Sequence, residues 1–340
     1  MITASPGARI TPAIAAPAGD WRQAWREAVT NTNELLDMLG LGHLADQLPA
    51  ADAGFALRVP RGFVARMGHG DPRDPLLLQV LPQLAERDEA PGFVADAVGD
   101  LAARAAQGVL HKYRGRALLV ASGSCAINCR YCFRRHFPYG EEMAAVGQWR
   151  KALEHVRRDA SIGELILSGG DPLALSTAKL EELSQGLAEI PHVTRLRIHT
   201  RLPVVLPERI DAPFANWLAA LPLQKVVVLH ANHANEFVAS VDAACAQLRE
   251  AGATLLNQSV LLRGVNDDAG TLARLSERLF AASVLPYYLH QLDRVQGAAH
   301  FEVDDARALA LLNALRARLP GYLVPKLVRE VGGDPSKRPL

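Results

Sequence analysis

The sequence predicts an α/β protein built on a parallel sheet with helices outside, an open and incomplete version of a (β/α)8 barrel. A doubly wound open sheet is the alternative. Three observations carry this. Short apolar, β-branched runs recur, and from the second onward their starts fall about 30 residues apart, the size of one strand-plus-helix unit. The segments between them show helical periodicity. Each run ends in a polar cluster, and in parallel α/β folds the active site lies at the carboxyl ends of the strands.

Residues 1–19, rich in Ala, Pro and Gly, read as a disordered N-terminus. Residues 20–110 read as a mostly helical region without a chemical motif, a packing layer for the main domain at 111–340. WRQAWREAV and TNELLDMLGL carry helical spacing, with Asp20 and Asn31 as candidate caps. FALRVPRGFVARM (55–67) is mixed, broken by Pro60 and Gly62, and DPLLLQVLPQLAE (75–87) reads as a further helix. The expected strands are RALLVA (116–121), ELILSG (164–169), TRLRIHT (194–200), QKVVVLH (224–230), ATLLNQSV (253–260) and VLPYYLH (284–290). The expected helices lie in QWRKALEHVRRDA, TAKLEELSQGLAEI, FANWLAALP, FVASVDAACAQLREAG and LARLSERLFAA. The strand-end clusters are SGSC, SGGD, HTR, HANH, NQS and HQLD. Ser, Asn and Asp are common turn and cap residues, so each cluster alone says little. Six at the same end of one sheet point to a site.

Bulk properties exclude several classes. The chain has 340 residues, 49% of them hydrophobic, enough for a sizeable core. Its 37 basic and 36 acidic residues nearly cancel, which argues against a broad nucleic-acid or acidic-membrane surface. No apolar run reaches the roughly 18 residues of a membrane span. The N-terminus lacks a basic start followed by an apolar core, so no secretory signal is expected. The four cysteines, three of them clustered, do not make a disulfide framework, and the reducing cytoplasm is the expected location.

The stretch SGSCAINCRYCFRRHFPY (122–139) places Cys125, Cys129 and Cys132 in the spacing C-x3-C-x2-C. Three thiolates this close can hold three irons of a [4Fe–4S] cluster, leaving the fourth iron open for chemistry. Zinc is the alternative, with His136 as fourth ligand, although structural zinc sites typically use pairs of closely spaced ligands.

With Tyr131 before its last cysteine, this motif resembles that of the radical S-adenosylmethionine (SAM) superfamily. The resemblance implies a partial (β/α)6 TIM-like barrel of the radical SAM type. It also implies SAM on the open iron, cleaved to a 5′-deoxyadenosyl radical by an electron from the cluster. A glycine-rich turn after the second strand bonds the amino group of SAM in that superfamily. Here the turn is Ser168, Gly169, Gly170 and Asp171, whose glycines allow close backbone approach to a ligand. His230, Asn232 and Gln258, at other strand ends, match contacts to the ribose or methionine part.

Further segments resemble the lysine 2,3-aminomutase family: HKYRGRALLVASGSCAINCRYCFRRHFPY, LILSGGDPL, HANHANE, LLNQSVLLRGVND, YYLHQLD and GAAHF. The resemblance covers nearly the whole chain from about residue 55. It implies pyridoxal 5′-phosphate (PLP) bound as a Schiff base to Lys337, which otherwise reads as a solvated charge in YLVPKLVREVGGDPSKRPL. Lys112 and Arg116 match basic positions for the PLP phosphate, with lysine where arginine is usual at 112. Arg134 matches the arginine for the substrate carboxylate. Asp293 and Glu330 match acids for the ε-ammonium, with glutamate where the longer enzymes carry aspartate. Without the resemblance these two acids read as surface ion-pair residues. Arg135 and His136 read as neighbours of the site or as solvated groups.

Within the family the chain is similar to the short branch that makes β-lysine for modifying elongation factor P. It ends just after Lys337 and lacks the extra cysteines that bind structural zinc in longer members. Cys245, alone on a helix pattern, is expected in the core. The implied reaction is L-α-lysine to β-lysine. The implied partners are lysine, a reductant protein such as flavodoxin or ferredoxin, and, functionally, elongation factor P and its lysine ligase. No nucleic-acid or membrane partner is expected. A mutase of arginine or glutamate is a second reading, and the two acids argue against a carboxylate side chain. A non-catalytic zinc-binding protein is a third.

Overall fold

The structure, a computed structural model, describes residues 19–48, 55–142 and 149–340. The expected disorder of 1–19 falls, apart from Gly19, outside the described residues. Among the described residues ten strands form one sheet in strictly sequential order. They are β1 (Arg104–Ala106), β2 (Val109–Tyr113), β3 (Arg116–Ser122), β4 (Glu164–Gly169), β5 (Arg195–Thr200), β6 (Gln224–His230), β7 (Ala253–Val260), β8 (Leu285–His290), β9 (Lys326–Arg329) and β10 (Arg338–Pro339). From β3 to β9 every neighbouring pair is parallel, while β1, β2 and β10 add antiparallel edges. A doubly wound sheet reverses direction at a switch point, and this order never does. The six expected strands match β3 to β8 to within one residue at either end.

Three short helices precede the sheet, α1 (Trp21–Arg26), α2 (Thr32–Met38) and α3 (Arg61–Val64), and the others follow its strands: α4 (Tyr139–Glu142), α5 (Trp149–Arg158), α6 (Thr177–Ala188), α7 (Leu202–Val205), α8 (Ala212–Ala220), α9 (Ala239–Glu250), α10 (Ala269–Ala281) and α11 (Asp305–Arg318). Side-chain caps fix where the outer helices begin. Ser176, Asp211, Asp268 and Asp304 accept from backbone N–H groups three residues on, each cap being worth about 1 kcal/mol. Helix α9 turns Val241, Ala244, Cys245 and Leu248 inward, so Cys245 is a core residue as expected.

The register sorts the two faces of the sheet. Leu119, Leu167, Ile198, Val227 and Leu255 stand side by side across five strands, buried in the main hydrophobic core. Their neighbours alternate to the other face. There Ser168, His199, His230, Gln258, Tyr288 and His290 line a cavity.

The N-terminal region departs from expectation. The described residues among 20–110 are short helical turns, loops, strand β1 and the start of β2 rather than mostly helix. The helix expected at 75–87 is a series of turns ending in a 3-10 turn at Leu84–Arg87. Pro82 cannot donate a helical hydrogen bond and restricts Leu81, so the apolar periodicity is overridden. Strands β1 and β2 were not anticipated. Nor was α11, although Ala308, Leu311, Leu312 and Leu315 show helical spacing behind the Asp304 cap.

Candidate active site

Because β3 to β8 are parallel, their carboxyl ends lie at one edge of the sheet. A cavity of about 480 Å³ opens there. Its lining includes Cys125, Cys129, Cys132, Arg134, His230, Gln258, Asp293, Glu330 and Lys337. Two polar networks meet in it.

The first surrounds the cysteines. The loop after β3 is fastened from outside by the N-terminal region. Asn128 N donates to Arg58 O (3.0 Å) and Arg130 N to Gln79 O (2.9 Å). Arg130, fully buried, pairs with Glu86 through Nε (2.8 Å) and Nη2 and donates to Phe55 O (2.7 Å). Arg135 donates to the same Glu86 carboxylate (2.8 Å). Burial pushes the Glu86 carboxyl up, but Arg130 and Arg135 more than offset this and hold it below the usual range. The N-terminal layer therefore braces the cysteine loop.

On the cavity side, Arg201 Nη1 donates to Cys129 Sγ (2.7 Å) and to Tyr131 Oη (2.8 Å). Its Nη2 reaches Gln79 Oε1 (2.7 Å) and Glu236 Oε2 (3.0 Å). Burial pushes the Cys125 thiol well up and the Cys132 thiol to about 11. Burial also drives His230 down to about 3, so it is a neutral imidazole, with Nε2 2.9 Å from Tyr131 Oη.

The second network is ionic. Arg134 Nε donates to Asp100 Oδ2 (2.7 Å) and its Nη1 to Ser168 Oγ (3.0 Å). Lys112 Nζ lies 2.6 Å from Asp100 Oδ1, 2.8 Å from Glu330 Oε1 and 2.9 Å from Val98 O. Lys337 Nζ closes on Glu330 Oε2 (2.5 Å). Five charges thus alternate: Arg134, Asp100, Lys112, Glu330, Lys337. The local cause of the last contact is a hairpin. Arg338 of β10 stands opposite Arg329 of β9, which sets Lys337 opposite Glu330. Burial pushes the Glu330 carboxyl up, yet Lys337 and Lys112 hold it far below the usual range. Asp293 is the contrary case. Its Oδ1 is buried without a partner, and burial, reinforced by Glu330, raises it to about 7.

Of the site residues expected from the sequence, all but Asn232, Arg135 and His136 line the cavity. Asn232 is fully buried, and its side chain is used up on Gln79, Tyr131 and Val260 N. Asp171 borders the cavity, but its carboxylate accepts from Thr200 Oγ1, Arg201 N, Leu202 N and Leu173 N, and so acts as a strut between β4 and β5. The glycines of its turn serve the protein's own backbone. A Cβ at Gly169 would lie 2.3 Å from Ser122 O and one at Gly170 2.6 Å from Ser124 O. Only glycine lets the end of β4 pass this close to the cysteine loop.

Lys112 does not suit the phosphate role expected for it. An ammonium has three N–H donors, and all three are engaged within the protein. Arg116 does suit it: its guanidinium lies over the Tyr113 ring (4.6 Å) and has no ion-pair partner among the described residues. His136 is not part of the lining, and its Nε2 lies 3.2 Å from Gln296 O, so the imidazole is engaged outside the cavity that the thiols line. Arg135 is buried in the Glu86 brace rather than solvated.

Asp100, Arg201, Gln79 and Glu86 escaped the sequence reading. Only Arg201, inside the HTR cluster, carried a signal. The other three come from N-terminal loops that only the tertiary fold brings here.

The lining fits the expected cofactors on donor chemistry. Three thiols face one cavity. Among the described residues no three Cys, His, Asp or Glu side chains form a preformed cation site. A thiophilic cluster suits this set better than a hard cation. For PLP there is the amine of Lys337, the free guanidinium of Arg116 and the rings of Tyr113, Tyr287 and Tyr288.

An open parallel barrel with a thiol- and lysine-lined mouth is thus the class that fold and site define. Sequence comparison specifies it further. The chain is 50% identical over 323 residues to an L-lysine 2,3-aminomutase of Escherichia coli, covering 94% of both chains. It is 47% identical to that of Haemophilus influenzae, again over 94% of each, and 32% identical to that of Clostridium subterminale, over 94% of this chain and 77% of the other. The chain belongs to the L-lysine 2,3-aminomutase family. No protein-family model matches it. Among solved structures, a radical SAM methyltransferase from Sphaerobacter thermophilus aligns with a TM-score of 0.43 at 21% identity, covering 65% of this chain and 68% of that one. The assignment rests on the sequence relatives.

Proposed function

We propose that this protein is an isomerase that converts L-α-lysine to β-lysine by 2,3-amino migration, with a [4Fe–4S] cluster, SAM and PLP. The observation that carries this is identity of 50% along nearly the full length of a relative of that name, together with one cavity lined by the three cysteines and Lys337. When bound, the cluster and SAM supply a carbon radical able to remove a non-acidic hydrogen, and PLP supplies a carrier for the migrating nitrogen.

The chain's own residues do the rest. Cys125, Cys129 and Cys132 hold the cluster, and Lys337 offers its amine to PLP, whose phosphate meets Arg116. Arg134 keeps Nη2 without a partner among the described residues and turns it to the substrate carboxylate. Asp293 and Glu330 receive the ε-ammonium, whose approach draws the proton off Asp293. His230, Gln258 and the Ser168–Gly170 turn border SAM. Leu118, Ile166, Phe133 and Val260 wall the cavity and limit water. Two acids suit a cationic side chain and repel the carboxylate of glutamate.

The product serves the modification of elongation factor P with its lysine ligase, a reading supported by the similarity to the short branch. The electron comes from a flavodoxin- or ferredoxin-like protein in the cytoplasm. No described helix is long and apolar enough to cross a membrane. The test is anaerobically reconstituted protein incubated with lysine, SAM and a reductant. β-Lysine is the expected product, and its absence from protein with cluster and PLP both bound would overturn the reading.

A further inference from the structure

Strand β2 flanks one end of the parallel run and β9 forms the other end, with six strands between them in the sheet. Yet Lys112 on β2 and Glu330 just beyond β9 are 2.8 Å apart, across 218 residues of chain. The curled sheet is thus closed at its seam by side chains. The segment 94–100 runs along that seam. Val94 bridges to Val295, with Val94 N donating to Arg294 O (2.9 Å) and Gln296 N to Val94 O (3.1 Å). A Cβ on Gly99, whose φ is +69°, would meet Gly332 at 3.4 Å. The segment ends on Asp100, whose side chain is 2% exposed. One of its oxygens takes Arg134, the other Lys112.

We infer that Asp100 and Lys112 form a positioning strut that fixes the distance between Arg134 and Glu330, and thereby selects the length of the substrate. The inference rests on the reading above, in which Arg134 takes the carboxylate and Glu330 the distal ammonium. Neither Asp100 nor Lys112 touches the substrate. Each acts through its partner. Asp100 fixes Arg134 Nε, which leaves Nη2 as the donor facing the cavity. Lys112, with all three donors occupied, fixes Glu330 Oε1. The rigid unit Arg134–Asp100–Lys112–Glu330 then presents its two ligand-binding ends at one spacing. A diamino acid one methylene shorter is then expected to bind less tightly. Side chains held by buried, charge-assisted bonds keep such a spacing far better than solvated ones.

The experiment is equilibrium binding of radiolabelled lysine and ornithine to PLP-loaded protein, for the wild type, Asp100→Asn, Asp100→Glu and Lys112→Met. Wild type should bind lysine in preference to ornithine. Asp100→Asn should weaken lysine binding by about tenfold or more, as expected for breaking a buried charge pair, and reduce the preference for lysine over ornithine. Asp100→Glu, which restores the charge, should recover part of both. Should Asp100→Asn fail to fold, Lys112→Met attacks the strut from its other end and should relax the preference alike. Wild-type affinity and preference in a folded variant of either residue would overturn the strut. A wild type that binds no lysine would instead overturn the functional reading and the strut with it.

Discussion

Around the three cysteines, each polar group answers to a remote part of the fold. Around Lys337, the charges answer mainly to one another. Glu86, Arg130, Arg135, Gln79, Glu236 and Arg201 bind the thiol loop to the N-terminal layer and to the turn after β6. Removing any of them leaves a buried partner stranded. Lys337 and Glu330 instead hold each other, and Asp293 Oδ1 has no partner among the described residues. The first region has to keep its shape while electrons pass. The second has to exchange partners, since the amine and the acids are the groups assigned to incoming ligands. Rigid bonding suits the former, and mutual pairing that a ligand can replace suits the latter.

Four experiments bear on this contrast. The largest effect is expected from Lys337→Ala, which should lower β-lysine formation by about 10³-fold or more and abolish the absorbance of covalently held PLP. Iron and sulfide content should stay unchanged, and loss of the cluster as well would show that the two regions are not separate. Glu86→Ala comes next. It strips two buried guanidinium groups of their carboxylate and should cost about 3–5 kcal/mol of stability, read by denaturant unfolding. A change below about 1 kcal/mol would mean that the brace is soft.

The third experiment uses pH. Burial raises Asp293 to about 7, so the folded ligand-free protein keeps a proton that the unfolded chain has already released. Its contribution to stability therefore falls as pH rises from about 4 through about 7, and the cost is fully present above that. Asp293→Asn should be more stable than wild type at pH 8 by about 2–4 kcal/mol and by much less at pH 5. An equal difference at both values would sink the assignment. The smallest effect is expected from His136→Ala. Iron content and activity should remain near wild type, whereas zinc that is bound by the wild type and lost from the variant would restore the imidazole as a ligand.

The sequence was most readable where periodicity and burial agree. Six strands and the polar ends they carry could be placed because parallel strands are continuous apolar runs with abrupt polar ends. It was least readable where a residue's type does not reveal its direction. Asn232 and Asp171 have the side chains of ligand-binding residues, yet both are consumed in joining strands. Nothing local marks Asp100 or Glu86 either, because their partners lie far away along the chain. Lys112 lines the cavity, but nothing in the sequence shows that its three donors are spent on Asp100, Glu330 and Val98 O. The region at 75–87 misled for a simpler reason: apolar spacing was weighed above Pro82.

The seam also has a consequence for the order of folding. The contacts between neighbouring strands and their helices are local, each spanning one unit, and can form early. The bond from Lys112 to Glu330 closes a loop of 218 residues, and loop-closure entropy and topology place such a contact late. A nascent chain should thus own its cysteine loop and most of its barrel long before the amine that completes the pocket arrives. Hydrogen exchange during refolding should find β4 to β7 protected first and Val328 last. On the proposed assignment the pocket is complete only when the two ends of the sheet have met, so an unfinished chain lacks Lys337, the amine proposed to anchor PLP.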